Sequence, residues 1–187
     1  MKRILDILLS LIAIVICALP MFGVGIAIKI NSKGPIFFKQ QRIGKNGIHF
    51  EIYKFRSMYT ETPNVSTEAL GDPSVYITTV GKFIRKTSLD ELPQLFNILK
   101  GDMSIVGPRP ALYNQYELIE MRDKVGVNRV RPGLTGYAQV MGRDLISDKK
   151  KVEYDEYYVE NCSLWFDLKI IWITVFSVAK ADGVRMR

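Results

Sequence analysis

Asp90 and Glu91 stand side by side in Ser88-Leu89-Asp90-Glu91-Leu92-Pro93-Gln94-Leu95, two carboxylates set among leucines. A basic cluster, Lys82, Arg85 and Lys86, precedes them, and Gly107-Pro108-Arg109-Pro110 follows. A carboxylate held between apolar neighbours and cations can act as a nucleophile, a metal ligand or a proton carrier. The same octapeptide also fits a helix capping box, because Glu91 lies three residues after Ser88. Taken alone the stretch favours the cap, since caps far outnumber active sites.

The rest of the composition narrows the chemistry. A chain of 187 residues is one domain with room for an ordinary core. Its formal net charge of +7 favours an anionic partner: nucleic acid, a phosphorylated substrate or an acidic membrane face. The basic residues form no single tract and the aromatics do not interleave with them, which argues against nucleic acid. His49 is the only histidine, so a histidine triad or a multi-imidazole zinc site is not expected, and the ring is expected as a plain strand side chain. Any metal site must rest on oxygen ligands, which suits magnesium. Cys17 and Cys162 make no disulfide framework and are expected as reduced, structural thiols.

These groups must be positioned by the elements around them, and the first is a membrane segment. Residues Ile7 to Ile28 carry no charge, and Ser10 is their one clearly polar side chain. The run is long enough to cross a hydrocarbon layer of roughly 30 Å as a helix. A cleaved signal peptide fits poorly, because no small-x-small site follows and Lys29 comes at once. Basic residues flank both ends: Lys2 and Arg3 before, Lys29, Lys33 and Lys39 after. Pro20, past the middle, removes an intrahelical hydrogen bond and bends the helix. Two topologies stay open on these residues: a kinked single-pass anchor, or a re-entrant helix with both ends on the cytoplasmic side. In either, the basic remainder lies against anionic lipid.

Beyond Gly34-Pro35, Ile36–Arg42 and Ile48–Phe55 predict two strands joined by Gly44-Lys45-Asn46-Gly47, where Asn-Gly signals a hairpin. Thr60–Ser74 is polar and loop-like. Thr79–Lys86 is helical or mixed, Asp90–Leu99 a helix interrupted by Pro93, and Ala111–Lys124 an amphipathic helix. Arg131-Pro132-Gly133-Leu134-Thr135-Gly136 predicts a rigid turn and Tyr137–Val140 a short strand. Lys149–Tyr158 is helical in pattern. Leu164–Ala179 is a second apolar run, too short to span; Trp165, Trp172 and Phe176 suit an interfacial helix, although a buried core helix is the commoner use of such a run.

Together these segments resemble the small monotopic bacterial phosphoglycosyl transferases. The likeness is carried by the basic-apolar N-terminus with its proline, Gln41-Arg42-Ile43-Gly44, and Tyr53-Lys54-Phe55-Arg56-Ser57-Met58. It continues through Ser88 to Asn97, Lys100-Gly101-Asp102-Met103-Ser104, Gly107-Pro108-Arg109-Pro110, Arg131 to Gly136, and Gly142-Arg143. The resemblance implies an α+β, mostly α, monotopic membrane protein, with a small β-hairpin and interfacial amphipathic helices. Residues 1–187 form one domain, with a re-entrant membrane helix over 1–32 and a cytoplasmic catalytic part over 33–187, on the cytoplasmic face of the bacterial inner membrane. In the family the helix breaks at a Ser-Pro pair. Here Leu19 precedes Pro20, which removes a hydroxyl able to satisfy the freed carbonyl.

The reaction so implied moves a sugar 1-phosphate from a UDP-sugar to polyprenol (undecaprenyl) phosphate and releases UMP. Asp90 would be the nucleophile, forming an aspartyl-phosphosugar intermediate, with Glu91 positioning Mg²⁺ or managing a proton. Asp90 and Glu91 are thus the implied magnesium ligands. Arg143 matches a phosphate-contacting arginine and Asp167 an acidic residue near the site; Arg109, Arg131, Lys54 and Arg56 are further substrate-binding candidates. A carboxylate attacking a phosphoric anhydride approaches an anion, so cations must screen the repulsion. Arginine suits phosphate because its planar donors bind two oxygens at once. A helix start at Asp90 would add N–H donors and the positive dipole end. The competing expectations are a membrane-attached nucleotide-sugar hydrolase or phosphatase using the same aspartate, and a basic lipid-binding module without catalysis.

Overall fold

The computed structural model describes residues 1–63, 65, 70–142 and 146–179. Its helices are α1 (Lys2–Asn31), α2 (Thr79–Lys86), α3 (Gln94–Lys100), α4 (Tyr116–Lys124), α5 (Tyr137–Gly142), α6 (Asp148–Asn161) and α7 (Leu164–Ala179). Strands β1 (Phe37–Ile43) and β2 (His49–Phe55) pair antiparallel in the register Phe37 to Phe55 and Ile43 to His49. Strands β3 (Ser104–Val106) and β4 (Gly133–Thr135) form a separate parallel pair. Mostly helical, with one hairpin, is the expected class. The hairpin turn has Asn46 and Gly47 at positive φ, the conformation for which an Asn-Gly pair is selected.

The uncharged run is a single helix that continues on both sides of Pro20. Thirty residues at 1.5 Å each give it a reach of about 45 Å. Its outer side is bare, with Leu8, Leu9, Ile12, Ile16 and Leu19 exposed. On its inner side Ala13 and Ile14 pack against Phe50, Ile52, Leu95, Ile98 and Met103. Further along, Met21, Val24 and Ile28 meet Phe55 and Ile84. Ile98 is wholly buried in the first cluster, and truncating such a side chain to alanine costs about 2–5 kcal/mol.

Both ends of α1 are tied to the same body. Lys2 Nζ pairs with Asp167 at 2.6 Å, and Arg3 donates to the Ile98 and Leu99 carbonyls at 2.6 and 3.0 Å. Those carbonyls belong to the last turn of α3, where the Gly101 N–H also reaches Ile98, and the guanidinium supplies the further donors that a helix C-terminus lacks. The buried Asp6 carboxylate accepts from Ser104 Oγ and the Ile105 N–H. At the far end, Arg56 donates to the main-chain carbonyls of Ser32 and Lys33, and Asn31 Oδ1 accepts from the Val80 N–H.

Several local expectations fail for physical reasons. Tyr137–Val140 is helical, not extended: the Tyr137 ring sits within 5.5 Å of the Tyr154, Tyr157 and Phe166 rings, and this contact draws the segment onto α6 and α7. The strand lies just before it and pairs with β3 because glycines let the two backbones touch. A Cβ on Gly107 would stand 2.5 Å from the Arg131 carbonyl oxygen. The amphipathic helix expected over Ala111–Lys124 is helical only from Tyr116. Along α7, Ile170 is fully buried while Trp165, Leu168 and Trp172 are exposed, so this helix packs along one side and is not a core helix. His49 is an exposed strand residue.

Candidate active site

Asp90 and Glu91 occupy a short 3-10 turn, Leu89–Glu91, between α2 and α3. The capping box does not form. Ser88 takes a left-handed conformation at φ 56° and its side chain caps nothing. The α-helix itself begins only at Gln94, behind Pro93, so Asp90 is not in its first turn. Both carboxylates line the same cavity and feel each other's charge.

Asn97 sets how far the turn stands from β2. Its buried amide oxygen accepts from the Tyr53 N–H at 2.9 Å, and its amide nitrogen donates to the Glu51 carbonyl at 2.7 Å. These are the outward main-chain groups of β2, which β1 cannot satisfy. The side-chain pair acts as a substitute strand and locks α3 to the hairpin, bringing Lys54 opposite Glu91. Lys54 Nζ lies 2.7 Å from Glu91 Oε1, and Arg109 Nη2 lies 3.2 Å from the same oxygen.

The site faces a cavity of about 1300 Å³ whose lining includes Lys54, Arg85, Asp90, Glu91 and Arg109. The two carboxylates differ sharply. Burial pushes the Asp90 pKa up to about 6, against the pull of Lys54, with the Glu91 charge adding to the rise. Burial alone would raise Glu91 too, but Lys54 and Arg109 outweigh it and hold that carboxyl well below the usual range. Burial also lowers the Lys54 pKa, with Glu91 opposing. Glu91 is therefore a fixed anion inside a cationic clamp. Asp90, 8% exposed, receives no hydrogen bond from any donor among the described residues. A desolvated carboxylate facing a cavity between cations can act as a nucleophile, a proton carrier or a metal ligand.

The other candidates divide. Lys54 and Arg109 converge on the pair. Arg56 lines the cavity, but its guanidinium is committed to Ser32 and Lys33 at the end of α1. Arg131 donates to the Gly101 carbonyl at 2.8 Å and does not line the cavity. Asp167 likewise lies off the cavity, held by Lys2 and by the Tyr158 hydroxyl at 2.7 Å. Arg143 lies outside the described residues. Pro20 is exposed within α1. The residue that sequence reasoning passed over is Arg85, on the last turn of α2, whose charge counters the rise at Asp90. Its one signal was membership of the basic cluster preceding the pair.

No group of three or more His, Cys, Asp or Glu side chains converges on a metal position among the described residues. The donor set of Asp90 and Glu91 is an incomplete one, of the kind magnesium accepts when substrate phosphates and water supply the remaining oxygens.

Comparison with known proteins agrees with this architecture. The family model described as bacterial sugar transferase matches residues 1–181. The chain is 40% identical, over 98% of its length, to a UDP-N-acetylgalactosamine-undecaprenyl-phosphate N-acetylgalactosaminephosphotransferase of Aeromonas hydrophila, of which it spans 45%. It is 43% identical to a UDP-glucose:undecaprenyl-phosphate glucose-1-phosphate transferase of Escherichia coli, over 94% of this chain and 39% of that one. With the sugar transferase EpsL of Bacillus subtilis it shares 40% identity, covering 99% of this chain and 90% of that protein. The chain belongs to the bacterial sugar transferase family. It spans less than half the length of the first and second of these relatives.

Proposed function

We propose that this protein transfers a sugar 1-phosphate from a UDP-sugar to polyprenol phosphate and releases UMP. The observation that carries the reading is the asymmetry of the carboxylate pair: a buried Asp90 with no hydrogen bond from the described residues, beside a Glu91 ion-paired to Lys54 and Arg109. Three relatives named for undecaprenyl-phosphate sugar phosphate transfer support the substrate classes.

In the first step an Asp90 carboxylate oxygen attacks the β-phosphorus of the donor. The bond from that phosphorus to the bridging oxygen breaks, its electron pair leaves with UMP, and an aspartyl-phosphosugar mixed anhydride (an acyl phosphate) remains. In the second step a phosphate oxygen of the polyprenol phosphate attacks the same phosphorus. The Asp90–phosphorus bond breaks, the carboxylate is regenerated, and a polyprenyl diphosphate sugar leaves. Arg85 and Arg109 screen the charge of the incoming diphosphate, and Lys54 with Arg109 keeps Glu91 from repelling it. Asp90 and Glu91 are the residues that would hold Mg²⁺, which would neutralise diphosphate charge.

The topology belongs to the same proposal. A straight crossing would place the two ends of α1 on opposite sides of about 30 Å of hydrocarbon, whereas both ends bond to one body. This supports a monotopic, re-entrant arrangement in one leaflet, with the catalytic part on the cytoplasmic face of the bacterial inner membrane and α7 lying at the headgroup level. An enzyme so placed meets its lipid acceptor without extracting it.

The deciding assay incubates the full chain in detergent with a panel of radiolabelled UDP-sugars, with and without polyprenol phosphate. UMP release that depends on both the lipid and Mg²⁺, and that stops on chelation, is the expected result. Steady release of sugar phosphate without lipid would replace the reading with a hydrolase.

A further inference from the structure

Pro108 and Pro110 deprive the segment after β3 of two N–H donors, so this loop is held by its carbonyls. Four in succession accept hydrogen bonds from elsewhere. Pro108 accepts from the Gly133 N–H at 2.9 Å, Arg109 from Arg122 Nη1 at 2.8 Å, Pro110 from Arg42 Nη1 at 3.0 Å, and Ala111 from the Ile43 N–H at 3.0 Å. The second of these is unlike the rest. The same Arg122 guanidinium places Nη2 at 2.5 Å from Asp155 Oδ2, joining α4 to α6. Their side chains are 4% and 1% exposed, the most deeply buried ion pair among the described residues.

Such a pair is poorly explained by stability. Removing two charges from water costs about as much as their attraction returns, and apolar replacements of similar volume are often equally stable or better. What the pair does supply is aim. One end of the Arg122 fork is fixed on α6, and the other grips the carbonyl of the residue whose own side chain meets Glu91 Oε1 at 3.2 Å. That contact is near the long end of hydrogen-bond geometry, so a main-chain shift of about 1 Å would break it.

We propose that Arg122 and Asp155 are positioning residues: the buried pair fixes the Arg109 main chain and thereby the guanidinium that helps neutralise Glu91 beside Asp90. The kinetic side of this inference rests on the transferase reading above. Misplacement on this scale costs up to about 100-fold in rate.

The test uses the full chain in detergent and three sets of variants. The double replacement Arg122→Met with Asp155→Leu removes the tether and leaves no buried charge unpaired. It is expected to keep its melting temperature within a few degrees while kcat falls about tenfold or more and donor KM stays within about twofold. Wild-type kcat in this folded variant would overturn the proposal. A double-mutant cycle then asks whether the effect runs through Arg109. Asp155→Asn should cost about tenfold in the wild-type background and less than about twofold in Arg109→Gln; equal losses in both backgrounds would sink the idea. Phenylglyoxal modification of Arg109, followed by peptide mass spectrometry, needs no turnover and so decides the tether even if transferase activity is not found. Modification several-fold faster in the Met/Leu variant is expected, and an unchanged rate would refute the tether.

Discussion

Asp90 and Asp167 are equally buried, each 8% exposed, and have opposite environments. Asp167 is saturated: Lys2 pairs with one oxygen and the Tyr158 hydroxyl donates to the other, so the carboxylate joins α1 to α6 and α7. Asp6, nearby, is likewise satisfied by Ser104 and Ile105. At Asp90 two of the nearby cations, Lys54 and Arg109, bond its neighbour Glu91, Arg85 acts only through its charge, and the carboxylate faces a cavity. The difference teaches that burial alone does not mark a reactive carboxylate. In the proposed reaction what distinguishes Asp90 is burial with Lys54 and Arg109 bonded to its neighbour, which leaves its oxygens to the cavity.

The largest effect should come from exchanging the two acids for amides. Asp90→Asn is expected to lower transfer by at least about a thousandfold and to abolish the covalent phosphosugar adduct seen by intact-protein mass spectrometry. Asp167→Asn should keep turnover within about tenfold and lower the melting temperature by about 4–8 °C, the equivalent of about 2 kcal/mol. If Asp167→Asn proved as inactive as Asp90→Asn, the comparison would fail.

Glu91→Gln comes next. It strips the counter-charge from Lys54 and Arg109 without changing shape, and an intermediate loss of about 10–100-fold in kcat is expected, measured as initial UMP release.

The pH profile sharpens the contrast further. Attack needs ionised Asp90, so kcat/KM should rise with pH through an inflection near 6. Arg85 holds the Asp90 pKa down, so Arg85→Gln should move the acid limb to higher pH. An unmoved limb would place Arg85 outside the electrostatics of the nucleophile.

The smallest effect concerns stability. Burial raises the folded-state pKa of Asp90 from 3.8 to about 6, so the folded protein binds this proton more tightly than the unfolded chain does. Stability is therefore lost as pH climbs between those values, and the whole penalty is present at pH 7.5. At about 1.4 kcal/mol per pH unit it is about 3 kcal/mol at most. Asp90→Asn removes it, so the inactive variant should melt higher than wild type at pH 7.5 and show little advantage at pH 4. Calorimetry at the two pH values checks this, and a lower melting temperature at pH 7.5 would contradict an unsatisfied Asp90.

The sequence by itself determined the elements whose signals are local. The uncharged run became α1, the Asn-Gly turn became the hairpin, and the alternating strand residues took their register, because periodicity and turn chemistry act over a few residues. It also placed two adjacent acids between basic motifs, and the structure sets those acids and two of the basic residues, Lys54 and Arg109, around one cavity. Only the tertiary structure decided which charges meet. Ser88 and Glu91 have capping-box spacing, but the left-handed serine and the hold of Asn97 on β2 turned Glu91 toward Lys54 instead. Arg56, Arg131 and Asp167 were as plausible on paper as Lys54 and Arg109; long-range partners took them for Ser32, Gly101 and Lys2. The parallel β3–β4 pair was illegible for the same reason, since its strands are too short to show a period and meet only where glycines admit a second backbone. Pairings between residues tens of positions apart depend on how the elements pack, and that information resides in no local stretch of the chain.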